Sequence, residues 1–244
     1  HSLLGRVYKQ LGRYEDAETM LVLALQTRYG DLIQQNNNTD YYGRPLKSST
    51  STIPQKEAVN FLAQSPEDRL HAIRDTSPGI IAQLCLLADV YSKSGKYPQA
   101  AAYYKKALQC LYELYGDGAV VFEAGVMLNN LGINYKKSGE YSKADECYDQ
   151  ALAIKAELQP DSLDHASTLY NQGLLHHKHL NDSKKAESLY REALTIYTKL
   201  DPSNQIIQTI RAKLSELASK SRTKLRILPG AKTVPVGVYQ KPIG

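Results

Sequence analysis

The chain has 244 residues, with 30 Lys and Arg against 25 Asp and Glu for a formal charge of +5, and its 42% hydrophobic and 23% charged residues describe a globular protein long enough to bury a large core. Charge this mild, with no basic stripe tied to a reading motif, argues against nucleic acid as the partner. No window approaches roughly eighteen apolar residues, and Arg6, Lys9, Arg13, Glu15, Asp16 and Glu18 interrupt the first twenty, so neither a membrane span nor a signal peptide is expected.

The first predicted element, residues 1–30, is a pair of helices carrying Leu4-Gly5, Tyr8, Gly12, Tyr14, Ala17, Leu21, Ala24 and Leu25. It opens on His1 inside an apolar-periodic segment, as expected of a piece of a longer protein. Residues 31–77 read as an insertion. The polar tracts Gln34 to Thr39 and Lys47 to Thr52 predict a loop over 31–54, because such residues do not offset their ordering entropy. Ala58, Phe61, Leu62, Leu70 and Ile73 then predict one or two short helices packed on the rest of the molecule.

Residues 78–117 restate the opening pattern with Leu87-Ala88, Tyr91, Gly95, Tyr97, Ala100, Tyr104 and Ala107, and residues 118–160 state it again, 44 positions later, with Leu131-Gly132, Tyr135, Gly139, Tyr141, Ala144, Tyr148 and Ala151. A fourth copy over 161–202 carries Gly173, His176, Ala186, Tyr190 and Ala193. Residues 203–220, amphipathic from Ile206, predict a helix that caps the array, and the Pro- and Gly-rich residues 221–244 predict a disordered tail.

Each copy has a mechanical logic. The small residue at Gly5, Ala88, Gly132 and Gly173 admits a neighbouring helix at close range, and the glycines at 12, 95 and 139 end the first helix of the pair. On the second helix, Ala144, Tyr148 and Ala151 form one apolar stripe. A single hairpin cannot bury such a stripe, so the copies must stack.

The pattern resembles the tetratricopeptide (TPR) repeat, usually about 34 residues long, and in particular the kinesin light chain and nephrocystin type. Leu128-Asn129-Asn130-Leu131-Gly132 and the run from Lys143 to Ile154 carry the likeness over residues 1–30 and 78–202, while Trp is absent, His176 stands where Tyr is usual, and no Gly precedes Asp182. The resemblance implies an all-α solenoid, a right-handed superhelix of antiparallel helix pairs with a loop-rich insertion after the first repeat. It also implies a non-catalytic protein-interaction adaptor in the cytoplasm, associated with the cytoskeleton. Three widely spaced cysteines, Cys85, Cys110 and Cys147, suit the reduced thiols of such an intracellular protein.

Counted from the small residue, positions two before and one, four and five after it fall on one face of each first helix. They place Arg6 and Lys9, then Leu86, Asp89, Ser92 and Lys93, then Asn130, Ile133, Lys136 and Lys137, and finally Asn171, Leu174, His177 and Lys178 on a common groove. An Asn amide pairs with the backbone of an extended peptide whatever its sequence, and lysines supply charge for a carboxylate. In the family that this chain resembles the equivalent Asn residues contact cargo peptides, which implies that role for Asn130 and Asn171. The expected ligand is an extended peptide containing acidic residues, bound by Asn130, Asn171, Lys136, Lys137, Lys178, Lys93, Arg6 and Lys9.

Other chemistry is thin. His165, His176, His177 and His179 crowd into one repeat, but no Cys or carboxylate nearby in sequence completes a tetrahedral set, so no metal or other cofactor is expected. No phosphate-binding glycine loop, nucleophile elbow or metalloprotease helix occurs, and no catalytic residue is assigned. The alternatives are a structural subunit that self-associates through its outer face or its insertion, and the recognition arm of a larger enzyme or ATPase lying N-terminal to His1.

Overall fold

The structure, a computed structural model, describes residues 1–38, 64–73, 76–117 and 119–226. Helix α1 (Ser2–Gln10) pairs with α2 (Tyr14–Asn38), α4 (Pro78–Lys93) with α5 (Tyr97–Tyr115), α6 (Phe122–Lys137) with α7 (Tyr141–Leu158), and α8 (Leu163–Leu175) with α9 (Ser183–Leu200). The short α3 (Pro66–Ala72) packs against α5, and α10 (Ile206–Arg226) closes the array on α9. Among the described residues there is no strand.

Glycine and tyrosine explain how each pair closes. A Cβ added to Gly132 would stand 2.8 Å from the Tyr148 ring, and one added to Gly173 would stand 2.7 Å from that of Tyr190. The bare backbone of the first helix is therefore the seat of the ring on the second. Tyr148 and Tyr190 are wholly buried there, and burying each ring contributes on the order of 2 kcal/mol. Stacking then proceeds through α2 on α4, α5 on α6 and α7 on α8.

The turns close as their residues dictate. Gly139 at φ 85° takes the left-handed conformation after α6, and the Glu140 N–H reaches back to the Tyr135 carbonyl at 2.8 Å. In the last pair α8 continues into a π-helical turn, His176–Leu180, and Asn181 takes the left-handed position with φ 54°. Asparagine is the residue that best replaces glycine there, which accounts for the missing glycine before Asp182. Asp182 then caps α9 by accepting from the Lys185 N–H at 3.0 Å.

Two boundaries differ from the sequence expectation. Residues 31–38 were expected to be loop, yet α2 runs on to Asn38. A nucleated helix gains one hydrogen bond per added residue, and neither Gln nor Asn stops it as Pro would. At the other end α10 continues through residues 221–226, expected to be tail, and reaches Arg226. The expected loop residues 39–54, the apolar Ala58, Phe61 and Leu62, and the tail from 227 lie outside the described residues.

Of the expected insertion helices, the structure describes α3. Ser65 caps it, accepting from the Asp68 N–H at 3.1 Å, and Pro66 occupies its first turn. Ile73 is fully buried and Leu70 packs on the same core. Arg69 is buried too, and its guanidinium donates to the Tyr91 hydroxyl at 3.2 Å and pairs with Glu18 at 3.5 Å. The insertion thus leaves the stack unbroken.

The junction between the third and fourth pairs is polar. Lys155, with no exposed side-chain surface, pairs with Asp164 at 2.6 Å and donates to the Thr168 hydroxyl at 2.7 Å. Asp145 receives Gln172 at 2.7 Å, His176 at 2.9 Å and Lys185 at 3.4 Å. Burial pushes the Asp145 carboxyl up, but Gln172, His176 and Lys185 together hold it below the usual carboxylate range.

Candidate functional site

The first helices α1, α4, α6 and α8 carry the face that the sequence assigned to ligand, and a chain of side-chain contacts runs along it. Asn171 Nδ2 on α8 donates to the Asn129 side-chain Oδ1 at 3.1 Å, and Asn129 Nδ2 donates to Asn130 Oδ1 at 3.4 Å. Asn130 donates to the Tyr104 hydroxyl at 3.3 Å, Tyr104 donates to Asp89, and Lys9 on α1 forms an ion pair with Asp89. All four helix pairs are tied into one polar line. Asn130 and Asn171 therefore share a line through Asn129, and Lys9 already has an anion.

The remaining cations sort by position. Lys136, Lys137 and Lys178 come together, since the charges of Lys137 and Lys178 both act on Lys136. Lys136 is half-buried above the Tyr148 ring, 5.9 Å from its centroid, with no carboxylate partner among the described residues. Burial first, then its two neighbouring lysines, lower its pKa to about 8. Lys93 is exposed and borders a small recess of about 130 Å³ with Ser92, Asn130 and Ile133. Arg6 is exposed on α1, away from that lysine group.

One expected groove residue is elsewhere. His177 is buried rather than open, its Nδ1 3.4 Å from the Tyr190 hydroxyl and its Nε2 3.5 Å from Glu216 of α10. The π-helical turn shifts the register of a straight α-helix, and α10 covers the ring. Burial lowers the His177 pKa, against the pull of Glu216. His176 meets the carboxylate of Asp145, a partner from the preceding repeat, and His179 stacks on Tyr141 at 4.3 Å. Among the described residues no group of three His, Cys, Asp or Glu could hold a metal ion, and none of their helices is long and apolar enough to cross a membrane.

The structure adds an apolar cleft of about 530 Å³ beside Asn130, walled by α4 and α6 over α5, with Ala82, Cys85, Val126, Phe122 and Leu114 at its surface. Stepping the groove positions back toward each helix start would have found Ala82 and Val126, each six before its anchor. Tyr104, a recurring position of the repeat pattern, also supplies the hydroxyl that joins Asn130 to Asp89. Burial and then Asp89 push the Cys85 thiol up to about 12, which leaves it protonated and unreactive.

Residues 123–199 match one family model of the tetratricopeptide repeat, and residues 1–34 and 84–118 match another. The chain belongs to the TPR family. Neither match includes residues 35–83, so α3 stands outside the repeats. Among solved structures, BtubC (BKLC) from P. vanneervenii is 18% identical and aligns over 100% of this chain and 85% of its own, with a TM-score of 0.58. TPR-like repeats described as those of a kinesin light chain from Podosopora anserina are 17% identical over 70% of this chain and 81% of theirs, with a TM-score of 0.52. These likenesses show the all-α TPR fold. No curated protein matches the sequence. TPR arrays are protein-interaction scaffolds whose stacked repeats build extended binding surfaces.

Proposed function

We propose that this TPR array holds an extended peptide along α4, α6 and α8, with a carboxylate of the peptide at Lys136, Lys137 and Lys178. The observation that carries the reading is Lys136: an ammonium half-buried over the Tyr148 ring, beside two like charges, with no carboxylate partner among the described residues. A desolvated cation of this kind gains more from an arriving carboxylate than an exposed one does. Asn130 and Asn171 retain amide hydrogen-bonding capacity toward a peptide backbone beyond the bonds they make to each other's line. The cleft at Ala82, Cys85 and Val126 suits an apolar side chain of the same peptide.

A selection of phage-displayed random peptides on the intact chain tests this. The expected result is enrichment of peptides with Asp or Glu. Their binding weakens about fivefold for Lys136→Gln, the size of one screened charge pair, and is lost for Asn130→Ala with Asn171→Ala at unchanged circular dichroism. Enrichment without acidic residues, or equal binding by these variants, overturns the reading.

A second reading, assembly through α1, rests on one observation. Leu4 and Val7 are exposed, whereas their repeat equivalents Leu87 and Val90 are buried under α2. Concentration-dependent sedimentation abolished by Leu4→Glu with Val7→Glu would establish it, and a monomer at all concentrations would remove it.

A further inference from the structure

The second helices make the opposite face of the array, with a groove between each neighbouring two, and the three grooves are filled differently. The first, between α2 and α5, has Leu84, Leu87 and Tyr91 of α4 at its repeat-equivalent floor positions, in one buried cluster with Ile73 and with Leu70 packed on it, and is covered by α3, whose Arg69 reaches Tyr91, Tyr103 and Glu18. Under this cover Tyr91 is 1% and Tyr103 0% exposed. The third, between α7 and α9, is closed by its own polar side chains, Gln172 and His176 on Asp145 and Asp149.

The middle groove, between α5 and α7, has the same floor as the first, displaced by one repeat: Leu128, Leu131 and Tyr135. It is open, with a volume of about 480 Å³. Tyr135 is 9% exposed and Cys147, the equivalent of Tyr103, is 8% exposed. A smaller residue on the wall, with no helix over it among the described residues, leaves the room that α3 fills one repeat earlier.

The charges at this groove are arranged differently. The position equivalent to Glu18, which receives Arg69, is Ala101, so the anion is missing. Lys105 and Lys143 stand on the two walls and both act on Glu140; Lys143 is bonded to it at 2.5 Å, and Lys105 has no carboxylate partner among the described residues. Glu146 is the acid on the α7 wall.

We propose that the α5–α7 groove takes a short amphipathic helix of a partner protein, with two aliphatic residues three positions apart, as in Leu70 and Ile73, and a carboxylate where α3 presents Arg69. This outer site is independent of peptide binding on the first helices.

The test uses two synthetic peptides on the full chain, followed by amide chemical shifts in nuclear magnetic resonance. One has the sequence Gln64–Ile73, and the other carries Arg69→Glu in that sequence. The Arg69→Glu peptide is expected to shift amides of Lys105, Leu108, Tyr135 and Gln150 and to bind roughly threefold to fivefold tighter than the native peptide, the size of one exposed ion pair. Lys105→Glu with Lys143→Glu, both surface changes, inverts that preference, and Cys147→Trp fills the groove and abolishes the shifts. Shifts centred on Asn130 and Asn171, or a preference that the double Lys variant leaves unchanged, overturn the proposal. A dimer of the chain that Cys147→Trp dissociates would give the groove to a second copy and overturn the partner assignment.

Discussion

Asn171 and Asn129, 42 residues apart on α8 and α6, meet through a single amide hydrogen bond of 3.1 Å across the junction of the third and fourth repeats. The bond ties two helices that otherwise touch little, since their main neighbours are α7 and α9. A half-buried hydrogen bond of this kind contributes about 1 kcal/mol. Asn171→Ala is therefore expected to lower stability by about that amount in urea denaturation, with helicity retained. A loss several times larger would mean that the line from Asn171 to Lys9 is cooperative along its whole length.

Lys136 gives a pH signature. Its pKa of about 8 in the folded chain lies below the 10.5 of a free lysine. Between those values the unfolded chain holds a proton that the folded chain has released, so this group's contribution to stability rises with pH through that window. Below it both states are charged, and the folded state carries the full desolvation cost. Lys136→Met is expected to stabilise the chain at neutral pH and to flatten the rise between pH 8 and 10.5. A carboxylate ligand raises the Lys136 pKa, so binding at a pH of about 8.5 takes up protons. Calorimetry in two buffers of different ionisation heat reads that uptake, and identical heats would remove Lys136 from the ligand contact.

The Lys155 and Asp164 pair makes a sharper stability claim. Lys155 is wholly buried and Asp164 reaches it at 2.6 Å. Removing only the acid leaves a buried ammonium, and Asp164→Ala is expected to cost about 3 kcal/mol. Lys155→Met removes the charge along with its need for a partner and should cost less than about 1 kcal/mol. Equal losses in the two variants, measured by urea titration, would show that packing and not charge dominates this junction.

Close approach and turn geometry can be separated by substitution. Gly132→Ala forces a methyl against Tyr148, where the added carbon would stand at 2.8 Å, and is expected to cost about 1 to 3 kcal/mol. Asn181→Gly should be neutral or stabilising, because φ 54° is free of cost for glycine, whereas Asn181→Ala should cost about 1 kcal/mol. Thermal unfolding of the three variants in parallel orders these effects.

The sequence by itself determined the repeats, their pairing and their core. Gly132 with Tyr148, Gly173 with Tyr190 and the turn glycines are local requirements that recur at a fixed interval, and recurrence makes them readable without coordinates. It also placed Asn130, Lys136 and Asn171 on one face, because spacing along a helix is enough for that. It did not show that Asn129 bridges Asn130 and Asn171, that Lys9 is neutralised by Asp89, or that Lys136 is desolvated. Those depend on distances between residues on different repeats, which helix periodicity leaves open. The burial of His177 follows from a π-helical turn with no composition signal, together with the docking of α10. The seat of α3 is likewise a tertiary fact: Arg69 finds Glu18, Tyr91 and Tyr103 on three helices that no single stretch of chain brings together. Local rules settle which residues form a helix pair, but only the stacked array decides which polar groups lose water, and water loss sets the charge, reach and strength of the groove.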